Sequence, residues 1–328
     1  MKKLICLWVC ISSIFPLLFS NAAESSSISL PAGSPSELLL KYVQLGETTY
    51  VMEVIKRNPA LDVNRPKAPG NKTVIYLACE NGYTDIVKLL LQRNADVCIC
   101  DTEKDKKYSA LTIAAKNGHL GVIKEILKTG IDKESRDVRN RTILYTAAVN
   151  NQPKLVEWLC NHKAKINFRR NGWSPLAVAA DNGYTEVVEI LCKAGANVNT
   201  ATSISYTPLM YAAENGYTEI VQILIKYKAN LEYSNDFGST ALLKAIEKDY
   251  VEIVDLLCRA GADVNHCSVK SFPLQEAAYR KNTKIVKILL KHGADPYRRA
   301  ILTDHSIITE ARRKSSPEIV NLLQNYRK

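Results

Sequence analysis

Residues 181–200 read DNGYTEVVEILCKAGANVNT, and close cousins of this stretch stand at 214–233 (ENGYTEIVQILIKYKANLEY) and 80–99 (ENGYTDIVKLLLQRNADVCI). A phrase that returns at a fixed interval marks a repeat architecture, which overrides any domain count based on length. Working outward, each copy carries a small pair: Ala78-Cys79, Ala114-Ala115, Ala147-Ala148, Ala179-Ala180, Ala212-Ala213, Ala245-Ile246, Ala277-Ala278 and Ala311-Arg312. Successive pairs are 36, 33, 32, 33, 33, 32 and 34 residues apart. A weaker copy precedes them around Tyr42-Val43, followed by Gly46 and Val51. The count is about nine units, with the irregular ones at the two ends, where capping units belong.

The order within a unit has physical reasons. Thr207-Pro208-Leu209 opens a short helix, because proline is tolerated in a first turn. Ala212-Ala213 let neighbouring helices approach closely. Asn215-Gly216 ends the helix, with glycine free to take positive φ. Ile220, Val221, Leu224 and Ile225 then show the spacing of a second amphipathic helix, and Ser316-Pro317 signals its start in another form in the last unit. Gly-Ala-Asn-Val-Asn at 195–199 and Gly-Ala-Asp-Val-Asn at 261–265 make an exit loop into an extended finger. One such unit cannot bury its own apolar stripe, whereas a stack can.

Thr-Pro-Leu-x-x-Ala-Ala-x-x-Gly, then Val-x-x-Leu-Leu, then Gly-Ala-Asp-Val-Asn at a period near 33 resembles the ankyrin-repeat family over residues 37–328. The resemblance implies an all-α solenoid of about nine stacked helix-turn-helix units with protruding β-hairpin fingers. It also implies a binding module for another protein across a concave face, and no enzyme. The family's histidine after Thr-Pro-Leu is replaced throughout, by Tyr76, Thr112, Tyr145, Ala177, Met210, Leu243 and Gln275. Its hydrogen bonds between units are therefore not expected, and neither is the stability of an idealised array.

The ends differ from the repeats. Lys2 and Lys3, an apolar run from Leu4 to Phe19, and Ser20-Asn21-Ala22 form a secretory signal pattern over 1–22, with an uncleaved anchor as the alternative. No other stretch is long and apolar enough to span a bilayer. Residues 23–36 are Ser/Pro-rich and read as a linker. The formal charge of +11 falls to +9 when the two leader lysines are removed. On an ankyrin array, such a leader resembles an exported bacterial protein, secreted or periplasmic; similar proteins are often directed at host targets.

Chemistry-bearing motifs are weak. Of the seven cysteines beyond the leader, Cys160, Cys192 and Cys258 take a core leucine position and Cys79 an alanine position, so they read as packing thiols. Cys98-x-Cys100 lacks a second ligand pair, and the five histidines include no i,i+4 pair. No phosphate loop or nucleophile elbow is present. No cofactor and no metal are expected. Asn71 and Asn140 fit a glycosylation pattern, but each stands where other units have a turn glycine. Residues 171–267 carry a net −6 and residues 268–328 a net +8, so the C-terminal units are a secondary candidate for nucleic acid or an anionic surface. A solvated cap explains the same charge.

The residue before each Thr/Ser-Pro-Leu position gives Lys72, Tyr108, Arg141, Trp173, Tyr206 and then Ser239. By the resemblance, this position lies in the finger's returning strand and faces the concave side. Tyr, Trp and Arg are the types that dominate binding hot spots. The first five of these residues, extended by Arg139, Arg170 and Phe237, are the candidate partner-binding surface of a monomer.

Overall fold

The computed structural model describes residues 28–66, 72–100, 108–269, 271–299, 306–314 and 316–326. The leader at 1–22 lies outside the described residues, as does Asn71. Among the described residues there are eighteen helices in nine consecutive pairs. The first pairs are α1 (Pro35–Leu45) with α2 (Thr48–Arg57), α3 (Val74–Asn81) with α4 (Thr84–Leu91), and α5 (Ala110–Lys116) with α6 (Leu120–Lys128). The middle pairs are α7 (Ile143–Val149) with α8 (Pro153–Asn161), α9 (Pro175–Asp181) with α10 (Thr185–Lys193), and α11 (Pro208–Asn215) with α12 (Thr218–Lys226). The last are α13 (Ala241–Glu247) with α14 (Val251–Arg259), α15 (Pro273–Tyr279) with α16 (Thr283–Lys291), and α17 (Ile307–Lys314) with α18 (Pro317–Asn325).

First helices stack on first helices and second on second, which forms two layers. The first-helix row packs more closely at most steps, so it forms the inner side of the curve. Its alanines explain the approach: Ala78, Ala114, Ala147, Ala179, Ala212 and Ala245 have no solvent exposure. The second helices bury only one stripe, such as Ile220, Val221 and Leu224 in α12. Serine or threonine caps most first helices, as where the Thr207 hydroxyl accepts the Met210 N–H at 3.3 Å. Phe272 precedes α15 and supplies no such cap.

Two features refine the sequence reading. Helix α1 starts at Pro35, inside the segment 23–36, and the carbonyl of Ile28 accepts a hydrogen bond from Arg57 at 2.8 Å. The fingers contain only isolated β-bridges among the described residues, at Cys100–Ser109, Arg170–Trp173 and Arg299–Ser306. Side chains close the finger turns instead. The Asp137 carboxylate accepts the Arg139 and Arg141 N–H groups at 2.9 and 3.0 Å, and Asn235 accepts those of Phe237 and Ser239.

The thiols are packing groups, with one difference. Cys79, Cys192 and Cys258 are buried but Cys160 is half-buried. Burial pushes the Cys160 thiol up to about 11, those of Cys192 and Cys258 to about 12, and Cys79 up as well. Burial thus disfavours their thiolate forms, as expected of thiols that pack as small apolar groups.

Candidate functional site: the fingers and the inner helix row

The finger turns and the ends of the first helices place the candidate residues side by side. Tyr108 and Arg141 meet: the Arg141 guanidinium lies 3.6 Å from the Tyr108 ring centroid. Arg141 is only 7% exposed and its Nε lies 2.6 Å from the buried Asp137 carboxylate, which also accepts the Thr112 hydroxyl at 3.1 Å. That charge is already neutralised, so Arg141 braces the finger and presents its Tyr108-stacked face rather than a free cation. Arg139 and Arg170 also meet, since Arg170 Nε donates to the Arg139 carbonyl at 2.9 Å and its guanidinium sits 5.8 Å from the Tyr145 ring.

Trp173 and Tyr206 are joined by a residue that sequence reasoning missed. Tyr211, on α11, stacks on Trp173 at 4.9 Å between centroids and packs tilted against Tyr206 at 5.1 Å. Its hydroxyl is 3.2 Å from Thr202 Oγ1. Burial raises the Tyr211 pKa, and the Thr202 hydrogen bond opposes that shift. The available signal was positional: the place before the small pair is Leu77, Ile113, Thr146 or Val178 in earlier units and tyrosine only here. Lys244 was missed as well. Its ammonium lies 5.5 Å over the Tyr206 ring and pairs with Glu247 at 2.9 Å. Burial works against its charge, but hydrogen bonds to Glu247 and Tyr206 outweigh that, and its pKa is pushed up to about 12.

Lys72 stands apart, bound to Glu80 of its own unit at 3.0 Å and lying over Tyr76. Phe237 is separate too, 63% exposed on a fingertip. The structure thus yields an inner run of stacked aromatic rings with Arg170 toward one end and the Glu247-paired Lys244 at the other, preorganised because each ring already has a neighbour. Such a surface can hold an apolar or aromatic side chain and orient polar groups around it.

Elsewhere, Glu232, Asp263 and His266 bring three potential ligand atoms within 4.8 Å of one another. Glu232 Oε1 is committed to the Asp263 N–H at 2.8 Å, and Asp263 Oδ1 to the Asn265 N–H at 2.8 Å. This trio belongs to the loop contacts that join neighbouring units.

Comparison with known proteins places this geometry. A family model of ankyrin repeats in three copies matches residues 39–137, 134–202 and 200–268, and a single ankyrin-repeat model matches 271–301. The ankyrin repeat and KH domain-containing protein mask-1 of Caenorhabditis elegans is 31% identical over 211 residues, 56% of this chain and 8% of that protein. The putative E3 ubiquitin-protein ligase XBAT31 of Arabidopsis thaliana is 27% identical over 193 residues, 54% of this chain and 41% of that protein. The chain therefore spans less than half the length of either relative. The crystal structure of the human ASB11 ankyrin repeat domain matches with a TM-score of 0.56 and 26% identity, covering 67% of this chain and 100% of that one. Repeat period, paired helices, exit loops and family models agree, and the chain belongs to the ankyrin-repeat family.

Proposed function

We propose that this chain is an exported bacterial scaffold that binds one protein partner as a monomer along its fingers and inner helix row, with Trp173 at the centre and no chemistry of its own. The observation that carries the reading is the stacked run in which half-buried Trp173 and Tyr206 are joined by the buried Tyr211. Among the described residues no helix is long and apolar enough to cross a membrane. The Lys2–Ala22 pattern supports export, to the periplasm, the medium or a host cell, and fractionation of native cells separates a periplasmic helper from a released effector. A reporter enzyme that works only outside the cytoplasm, fused after Glu24, is expected to be active in a bacterium; an inactive fusion with a retained leader argues against export.

The basic C-terminal units support a nucleic-acid reading less well. Arg280 is bound to Asp249, Lys287 lies near Glu318, and Arg298 stacks on Phe272, so part of that charge serves contacts between units. The partner reading is tested by crosslinking a partner in native cells and measuring its affinity for the Trp173→Ala variant. That variant should lose about 2 kcal/mol, roughly thirtyfold in Kd, while staying folded. A folded variant with unchanged affinity removes the aromatic surface from the interface.

A further inference from the structure

The fingertips are rich in arginine toward one end of the row and in exposed apolar side chains toward the other, with Val138, 66% exposed, standing among the arginines. On the third and fourth fingers stand Arg136, Arg139, Arg169 and Arg170. Neutral groups hold three of them: Arg136 lies 4.6 Å from the Phe168 ring and donates to Asn140, Arg169 donates to the Ala201 carbonyl at 2.7 Å, and Arg170 to that of Arg139. Among the described residues none of the four forms an ion pair, in contrast to Arg141 beside Asp137. Neutral partners thus hold the charges of Arg136, Arg169 and Arg170 in place.

On the next three fingers the tips are Ile204, Phe237 and Val269, exposed by 56%, 63% and 62%. The Val269 N–H donates to the Phe237 carbonyl at 3.0 Å, which sets these two tips side by side. Three large apolar side chains in consecutive units are an interaction strip rather than scattered exposure. Trp173, on the fourth finger, stands between the arginines and the apolar tips.

We propose that this fingertip row takes an extended protein segment in which an acidic block adjoins an apolar block, the acidic end over the four arginines and the apolar end over Ile204, Phe237 and Val269. Five fingers about 10 Å apart span about 40 Å, the reach of roughly a dozen extended residues. Charge complementarity selects the acidic block. A lipid surface fits less well, because the exposed Asp236 sits beside Phe237 in the apolar strip, its carboxylate accepting the Ser205 hydroxyl at 2.6 Å. This inference rests on the partner-binding reading of the inner side and names the chemistry of what binds.

The test uses the chain without its leader and two fluorescein-labelled 12-residue peptides of one composition. In one, glutamates fill one half and Leu, Phe and Val the other; in the second the same residues alternate. Fluorescence anisotropy should show the blocked peptide binding at least about tenfold more tightly than the alternating one. Affinity should fall about tenfold in Arg139→Glu/Arg170→Glu and in Phe237→Ser/Val269→Ser, and also with added salt. Arg136→Glu/Arg169→Glu provides a second charge variant, and melting curves confirm folding. Equal binding of the two peptides, or none of either, overturns the proposal. So does capture of the chain by phosphatidylglycerol vesicles that the same variants abolish. If the blocked peptide fails but a crosslinked partner still depends on Trp173, only the partner chemistry is wrong. If the peptide binds regardless of Trp173, the fingertip proposal stands and the aromatic reading falls.

Discussion

At the scale of single residues, the same φ > 0 requirement has opposite consequences at two turns. At the end of the second helix, Gly130, Gly195, Gly261 and Gly293 have positive φ, and a Cβ there would meet nothing within 4 Å. Lys163 and Lys228 hold the same place at φ 58° and 63°. Their cost is conformational only, on the order of 1 kcal/mol. Lys228→Gly should therefore raise the unfolding free energy by about 1 kcal/mol and with it the denaturation midpoint, and an unchanged midpoint would show that the lysine has a compensating contact. At the end of the first helix, space is the limit as well. Gly46, Gly82, Gly183 and Gly216 are each covered by the aromatic residue that follows the next unit's turn, and a Cβ on Gly216 would lie 2.7 Å from the Tyr250 ring. Gly216→Ala should destabilise by more than 1 kcal/mol, because strain and overpacking add; a smaller loss would mean that the Tyr250 ring gives way. The glycines were legible in the sequence as turn signals. Why tyrosine follows them was not, because the contact it makes is with a different unit.

At the scale of elements, what holds neighbouring helix pairs together is polar as well as apolar. Where α13 meets α15, Asp249 accepts from Arg280 at 2.9 Å and from the Asn282 amide at 3.0 Å. Partial burial raises the Asp249 pKa, but the hydrogen bonds and the Arg280 charge overcome this and leave it below the usual carboxylate value. A lowered folded-state pKa stabilises the protein above the unfolded value, near 4, and that gain is lost as pH falls through the folded value. Asp249→Asn keeps the turn conformation and an acceptor but loses the charge. It should cost about 0.5 kcal/mol at pH 7, since the pair is partly exposed, and nothing once the pH falls well below about 4. A cost that persists unchanged in acid would assign the effect to packing. Such clasps explain how the stack does without the family's histidine, whose places hold Thr112, Ala177 and Met210 among others. The helices themselves were readable from Thr-Pro-Leu, the small pair and the apolar spacing. The fingers were less so, because Asp137 and Asn235 close them by side-chain hydrogen bonds that leave no hydrophobic pattern.

At the scale of the molecule, a stack whose units touch only their neighbours is as cooperative as its weakest interface. The period and the number of units were plain in the sequence, whereas the joining of Trp173 to Tyr206 through Tyr211 depends on the rotation between units, which no single repeat encodes. The exit loops show one step at which a polar rung is missing. Each loop offers an oxygen to a backbone N–H of the next: Asn64 to Asp96, Glu134 to Lys165, Asn167 to Asn197, Asn199 to Asn230, Glu232 to Asp263 and Asn265 to Asp295. The position in register in the second loop is Cys98, which has no such oxygen, and the donor opposite would be the Asp132 N–H. This repeat is also long, with 36 residues between Ala78 and Ala114, as between Tyr42 and Ala78. Other contacts bridge the same step, since Asn117 and His119 both reach the Glu80 carbonyl, at 2.7 and 3.0 Å. The interface is therefore weakened in the loop layer alone, and one acceptor should restore it. Cys98→Asn should raise stability by about 1 kcal/mol, the net worth of one hydrogen bond, and slow amide exchange in α4 and α6. Asn199→Ala, which removes a rung already present, should lower stability by about the same amount. If Asn199→Ala behaves this way and Cys98→Asn leaves stability and exchange unchanged, the longer second unit holds its loop out of reach of the third.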